Sequence, residues 1–280
     1  MNEQLEEKDF SPFMLPEYPK ELLDLPYMLG EIQAFILNRM TYPSIATAGI
    51  AALSTLSAFA QTNITVASRD GLGLNEQYMI LAATGFGKED LRKPLDILNS
   101  AANKKLGNNK LDETKFIFSA PSSQQGLHRL LEQNRSLFFI ADEFAEWLRM
   151  SHSNDHKQAT LGYLMQIYTK ALGIVEPGHT ITNKYEQVHN PRVGIMATST
   201  AEAIFETMTK EQADSGAYNR WVIFVGDQDL PEKRYDGLIW EPNETIVDFI
   251  AWLKTQEQKV TFTKEGFNEY KKLDSEISEP

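Results

Sequence analysis

A short apolar run, Tyr78–Ala83, gives way to Thr84–Gly85–Phe86–Gly87–Lys88–Glu89, and a helical stretch from about Lys88 to Lys104 follows. Gly85 and Gly87 permit backbone conformations that turn N–H groups toward one point. The start of a helix adds the partial positive charge of its unsatisfied donors. A lysine there adds a full charge. A strand, a glycine loop and a helix in this order suit an anion with several oxygens, above all a polyphosphate. The plain alternative is an ordinary turn, for which the same glycines suffice.

The pattern G-x-x-x-x-G-K-[ST] between strand and helix is the phosphate-binding loop of nucleotide hydrolases. Gly87 and Lys88 match it, while Ala82 stands in place of the first glycine and Glu89 in place of the hydroxyl residue. Thr84, Gly85, Phe86, Gly87, Lys88 and Glu89 are the expected ATP-binding residues, with Lys88 neutralising β- and γ-phosphate charge. A carboxylate at position 89 can take Mg²⁺ in place of the hydroxyl, but it also sets negative charge beside the phosphates. Either metal coordination is altered or nucleotide binding is weakened.

A second apolar run, Ser136–Ala141, ends in Asp142–Glu143. In a nucleotide hydrolase Asp142 would hold Mg²⁺ through water, and Glu143 would orient and deprotonate the attacking water. The other reading is an acidic first helical turn. A third run ends at Ala197–Thr198–Ser199–Thr200. Thr198 or Ser199 can reach a γ-phosphate by hydrogen bond, whereas Thr200 reads as a helix cap. Arg220, just before Trp221–Val225, suits an arginine finger acting in a neighbouring subunit, or a surface ion pair. The whole scheme requires Lys88, Asp142 and Glu143 to converge across adjacent strand tips.

The remaining pattern is an alternation of strands and helices, which argues for a parallel sheet covered on both faces. Further strands are expected at Phe116–Ser119, Val193–Ala197 and Trp221–Val225. Helices are expected at Glu31–Arg39, Ser44–Gln61, Glu143–Arg149, Gln158–Leu172 and Thr200–Met208, and over 245–255 and 264–273. Pro94 should kink its helix, and Ser122 with Gln125 forms a capping box. The expected fold is an α/β P-loop NTPase core of about five strands flanked by helices, with an N-terminal helical layer. The expected division is an arm and helical layer at 1–70, the core at 71–230 and a C-terminal helical extension at 231–280. A helix directly precedes Glu279–Pro280, so a longer polypeptide is expected.

Composition narrows the function. The 280 residues carry a net charge of −12, which counts against bulk electrostatic binding of nucleic acid, though not against a small basic channel built by several subunits. There is no cysteine, so disulfides, thiolate metal sites and thiol nucleophiles are excluded. The simplest location is the cytoplasm. Ile45–Ala60 is apolar, but Thr47, Ser54, Thr55 and Ser57 interrupt it, and a span needs about 20 apolar residues. It reads as a buried helix, and no membrane association is expected. Ser151–His156 has two histidines but no evident third ligand, and reads as a solvated loop. Trp147, Trp221, Trp240 and Trp252 read as core or half-buried residues.

These motifs, in this order, resemble the P-loop domain of phage, plasmid and integrative-element proteins described as primase–helicase ATPases of AAA+ or related type. The resemblance covers roughly residues 18–226. It runs from Tyr18–Pro19 and Leu25–Pro26 through Ser54–Gln61, the loop at 82–89, Ser122–Leu127 and Asp142–Glu143 to Asn219–Phe224. It implies an oligomeric ATPase, a hexamer being one form, that uses ATP and Mg²⁺ in the replication of mobile DNA beside other replication proteins. In helicases of the AAA+ class a hairpin before the sensor strand touches single-stranded DNA in a central pore. Here His179–Val188 alternates about Asn183–Lys184, so Lys184 is expected at a phosphate and Tyr185 on a base. The departures at Ala82 and Glu89 keep a second reading open, a scaffold that binds nucleotide without turnover in a replication or defence complex.

Overall fold

The computed structural model describes residues 23–66, 73–107, 114–153, 155–176, 185–208, 216–226, 230–235 and 241–278. Within these, helices α1 (Tyr27–Leu37) and α2 (Ile45–Ala60) are followed by strands β1 (Ile64–Val66) and β2 (Gln77–Leu81). Next come α3 (Glu89–Leu106), β3 (Lys115–Ile117), α4 (Gln124–Gln133), β4 (Ser136–Ala141), α5 (Phe144–Ser153) and α6 (Asp155–Thr169). Short strands β5 (Ile174–Val175) and β6 (Val188–His189) precede β7 (Arg192–Ser199), α7 (Ala201–Thr207) and β8 (Trp221–Val225). The chain continues with α8 (Glu244–Leu253), β9 (Gln258–Val260) and α9 (Lys264–Ser278).

Five strands form one parallel sheet in the order β3-β4-β7-β2-β8. Strands β2, β4 and β7 are buried along their whole length. That is why their sequences are continuous apolar runs without polar alternation. The two-residue period still sorts their side chains between faces. Tyr78, Ile80, Phe138, Ile140 and Met196 pack with α1, α2, α3 and α8. Met79, Leu81, Leu137, Phe139, Val193 and Ile195 pack with α4 to α7. The N-terminal helices and α8 therefore share one core with the sheet.

The chain leaves β2 for the far strand β3 over the first face, then steps back through β4 and β7 over the second. Parallel crossovers are almost always right-handed, so reversing the direction of travel moves the connecting helices to the other face. The loops after β2 and after β7 thus part to opposite sides of neighbouring strands. In open α/β sheets such a parting is where a crevice opens at the carboxyl ends of the strands.

Local chemistry explains most element starts. Ser44 caps α2 by accepting from the Thr47 N–H, and Asn243 caps α8 through the Ile246 N–H. Helix α4 is capped by Ser123, which accepts from the Gly126 N–H at 3.1 Å, so the cap is not Ser122, and with glycine three residues on the expected capping box does not form. Helix α3 runs on through Pro94. Within Ser151–His156, expected as a loop, Ser151–Ser153 end α5 and Asp155–His156 open α6, and Asn154 lies outside the described residues. Trp147 is buried and Trp221 half-buried, but Trp252 is 39% exposed, against expectation, and Trp240 lies outside the described residues. Two small ladders escaped the sequence reading. Strand β1 pairs in parallel with β9, and β5 pairs antiparallel with β6. Each is too short to carry a hydrophobic period.

Candidate functional site

At its carboxyl end β2 extends its ladder by two bonds. The Ala82 N–H donates to the Ser199 carbonyl at 3.0 Å, and the Gly226 N–H donates to the Leu81 carbonyl at 2.7 Å. The chain then turns, with the Phe86 N–H donating to the Ala83 carbonyl at 3.2 Å. Phe86 is buried in the core at 1% exposure, and the glycines on either side take φ of 83° at Gly85 and 78° at Gly87. A left-handed conformation is costly with a Cβ and free of that cost in glycine. The aromatic anchor and its two flanking glycines shape the loop. The Phe86 ring is thus committed to the core and its N–H to the Ala83 carbonyl, so Phe86 shapes the loop rather than offering a donor to the cavity.

Lys88 stands at the N-terminus of α3 and provides no side-chain cap. Among the described residues, the N–H groups of Gly85, Gly87, Lys88 and Glu89 have no protein acceptor. These are donors that a helix start leaves for a ligand.

The loop lines a cavity of about 660 Å³ together with Asp142, Glu143, Thr200, Thr41, Tyr42 and Asp90. That volume lies within the usual range of small-molecule sites, roughly 300–1,000 Å³. The lysine loop and the acidic pair therefore meet, but not across adjacent strand tips. Strand β7 lies between β2 and β4, and it contributes to the site. The Thr198 hydroxyl, buried at 2% exposure, donates to Oδ1 of Asp142. Ser199 alternates to the other face, its hydroxyl buried and without a hydrogen-bond partner among the described residues. Of the two sensor candidates, Thr198 reaches the acidic pair, and it does so from behind Asp142. Thr200 caps α7 through the Ala203 N–H at 3.3 Å, as expected, and also lines the cavity.

Asp142 and Glu143 are both exposed to the cavity. Glu143 takes φ of 49°, a left-handed conformation in a residue with a Cβ. Such strain costs about 1–2 kcal/mol. A helix start does not require it, and strained residues of this kind cluster at functional sites, although Tyr27 and Asn190 share the positive φ away from the cavity.

Other expected residues lie elsewhere. Arg220 ends a 3-10 turn at the amino end of β8, and its Nη1 donates to the Gly216 carbonyl at 2.7 Å. The cavity is at the carboxyl ends of the same parallel strands, on the order of 15 Å away along the strand. Arg220 is thus no part of its own chain's cavity. Lys184 lies outside the described residues. Tyr185 packs against α4, edge-on to His128 with centroids 5.4 Å apart and with the Arg129 guanidinium 5.6 Å from its ring. The first arm and turn of the expected hairpin, 179–184, lie outside the described residues; the short ladder of Ile174–Val175 against Val188–His189 flanks them and sits before the amino end of β7. Among the described residues no group of three or more His, Asp or Glu could hold a metal ion by itself, and no helix is long and apolar enough to cross a membrane.

Sequence reasoning missed Thr41, Tyr42 and Asp90. Thr41 and Tyr42 join α1 to α2, far from the loop in sequence. Asp90 reads as an ordinary first-turn acid. No protein-family model matches the chain, and no curated protein matches it.

Proposed function

We propose that this protein binds and hydrolyses ATP in the cavity at the carboxyl ends of β2, β7 and β4, as a P-loop ATPase of AAA+-like type. The observation that carries this reading is the shared cavity: one lysine at an uncapped helix start and two carboxylates from a strand two places away. The open backbone donors of Gly85, Gly87, Lys88 and Glu89 receive the phosphates, and Lys88 neutralises their charge. Asp142 and Glu89 offer hard oxygen donors of the kind Mg²⁺ takes when phosphates complete its shell. When bound, that ion would spread the charge of the phosphate oxygens. Thr198 holds the Asp142 carboxylate in place, and Glu143 accepts a proton from the attacking water. Arg220, at the far end of β8, can serve a cavity only in a neighbouring subunit of a homo-oligomer.

The resemblance extends the reading to a helicase-type motor on the single-stranded DNA of a mobile element, within a replication complex. Tyr185 and Arg129 beside the β5–β6 ladder offer a ring and a cation for that contact. Glu89 favours a second reading. It is exposed in the cavity where a hydroxyl would ordinarily sit, and its charge suits a scaffold that holds nucleotide without turnover.

Calorimetry with ATP and Mg²⁺, followed by a phosphate-release assay, separates the two. The ATPase reading expects binding and release, both lost in Lys88→Ala. Binding without release would leave the scaffold. Activity undiminished in Lys88→Ala would remove the site assignment.

A further inference from the structure

The first turn of α3 carries two acids, Glu89 and Asp90, at the point where a polyphosphate would be received. Two such charges favour the helix but oppose the ligand. Asp90 is nonetheless buried at 7% exposure, and its carboxylate is engaged. Oδ2 accepts the Thr41 N–H at 2.8 Å, and Oδ1 lies 3.6 Å from the Lys93 ammonium. A Cβ at Gly87 would come within 3.2 Å of Oδ2, so this glycine also makes room for the carboxylate.

Thr41 is held from its other side as well. Its carbonyl accepts the Arg234 N–H at 2.9 Å, and the Arg234 guanidinium donates to the Leu37 carbonyl at 3.2 Å. In the same segment, Leu230 Cδ1 lies 4.0 Å from where a Cβ of Gly85 would stand. The peptide groups of Thr41 thus tie three pieces of chain together: the glycine loop, the α1–α2 connection and residues 230–235.

We infer that Asp90 is a positioning residue, whose bond to the Thr41 N–H holds the Thr41–Tyr42 wall of the cavity and links the phosphate loop to the N-terminal helices and the 230–235 segment. The inference rests on the nucleotide reading for its effect on binding, but not for its effect on the wall.

The test compares Asp90→Ala with Asp90→Asn, which keeps an acceptor oxygen and removes the charge. In the protein without nucleotide, amide hydrogen exchange at Thr41 and Arg234 should quicken roughly ten- to hundredfold in Asp90→Ala and stay near the parent rate in Asp90→Asn. With ATP and Mg²⁺, Asp90→Ala should raise KM by about tenfold or more, with kcat within about twofold, and Asp90→Asn should restore KM. Unchanged exchange in Asp90→Ala would overturn the positioning role whatever the nucleotide data show. Equal loss in both variants would overturn it too, because charge and not the hydrogen bond would then be the cause. Absence of nucleotide binding in the parent chain, with exchange behaving as expected, would defeat the nucleotide reading and leave the wall contact standing.

Discussion

Single side chains at the site are set by what lies behind them. Thr198 is the clearest case: a buried hydroxyl on β7 donates to an exposed carboxylate on β4. Hydrogen bonds to charged groups contribute about 1.5–3 kcal/mol. In Thr198→Val the Asp142 carboxylate loses that restraint while remaining solvated. The expected outcome in steady-state assays is a fall in kcat of about tenfold or more, with stability changed by no more than ~1 kcal/mol. Wild-type turnover in this variant would mean that Asp142 needs no such support. The residue types at this site were legible in sequence, because Lys88, Asp142, Glu143 and Thr198 each end or follow an apolar run. Their mutual geometry was not legible, because nothing in the run Arg192–Ser199 announces that it lies between the other two strands.

At the scale of elements, the centre of the sheet depends on close approach between β7, β4 and α2. Gly194 lies on β7, and a Cβ there would come within 2.6 Å of both Phe138 Cδ2 and Gln61 Oε1. Gln61 is itself buried, donating at 2.9 Å to both Ser136 Oγ and the Leu137 carbonyl. Both neighbours are fully buried. Overpacking of a close-packed interior costs roughly 1–3 kcal/mol, so Gly194→Ala should lower the urea midpoint without changing the slope. An unchanged midpoint would show that the β7–α2 contact can relax. Arg192 secures the same layer, with its guanidinium at 2.8 Å from the Thr62 carbonyl and 3.3 Å from the Ile64 carbonyl, just past the end of α2. Cations near a helix carboxyl end are favourable partners for such carbonyls.

For the whole molecule, burial of tyrosines sets the alkaline limit of stability. Burial, with help from the Glu76 charge, pushes Tyr78 up to about 12, and burial pushes Tyr218 up to about 12. Burial raises Tyr163 as well. Below pH 10 these phenols keep their protons in both folded and unfolded chains. Between pH 10 and about 12 the unfolded chain ionises while the native one does not, so stability falls through that window. Arg192, lowered to about 10 chiefly by burial, runs the other way, as does Arg39, also lowered by burial, but these are two groups against three. The urea midpoint should therefore fall steadily from pH 10 upward, with tyrosinate absorbance appearing on unfolding. A flat midpoint to pH 12 would mean that these phenols are hydrated in the native state.

What the amino-acid order determined by itself was local. Apolar runs specified buried strands, serine and asparagine caps specified helix starts, and the Gly85–Phe86–Gly87 triplet specified a loop that only glycines can turn. Those outcomes depend on neighbours a few residues away. The order of strands, the insertion of β7 between the loop and the acidic pair, and the approach of Thr41 to Asp90 were decided by tertiary structure alone. They depend on how two apolar faces of one sheet are covered, and that is a property of the whole chain.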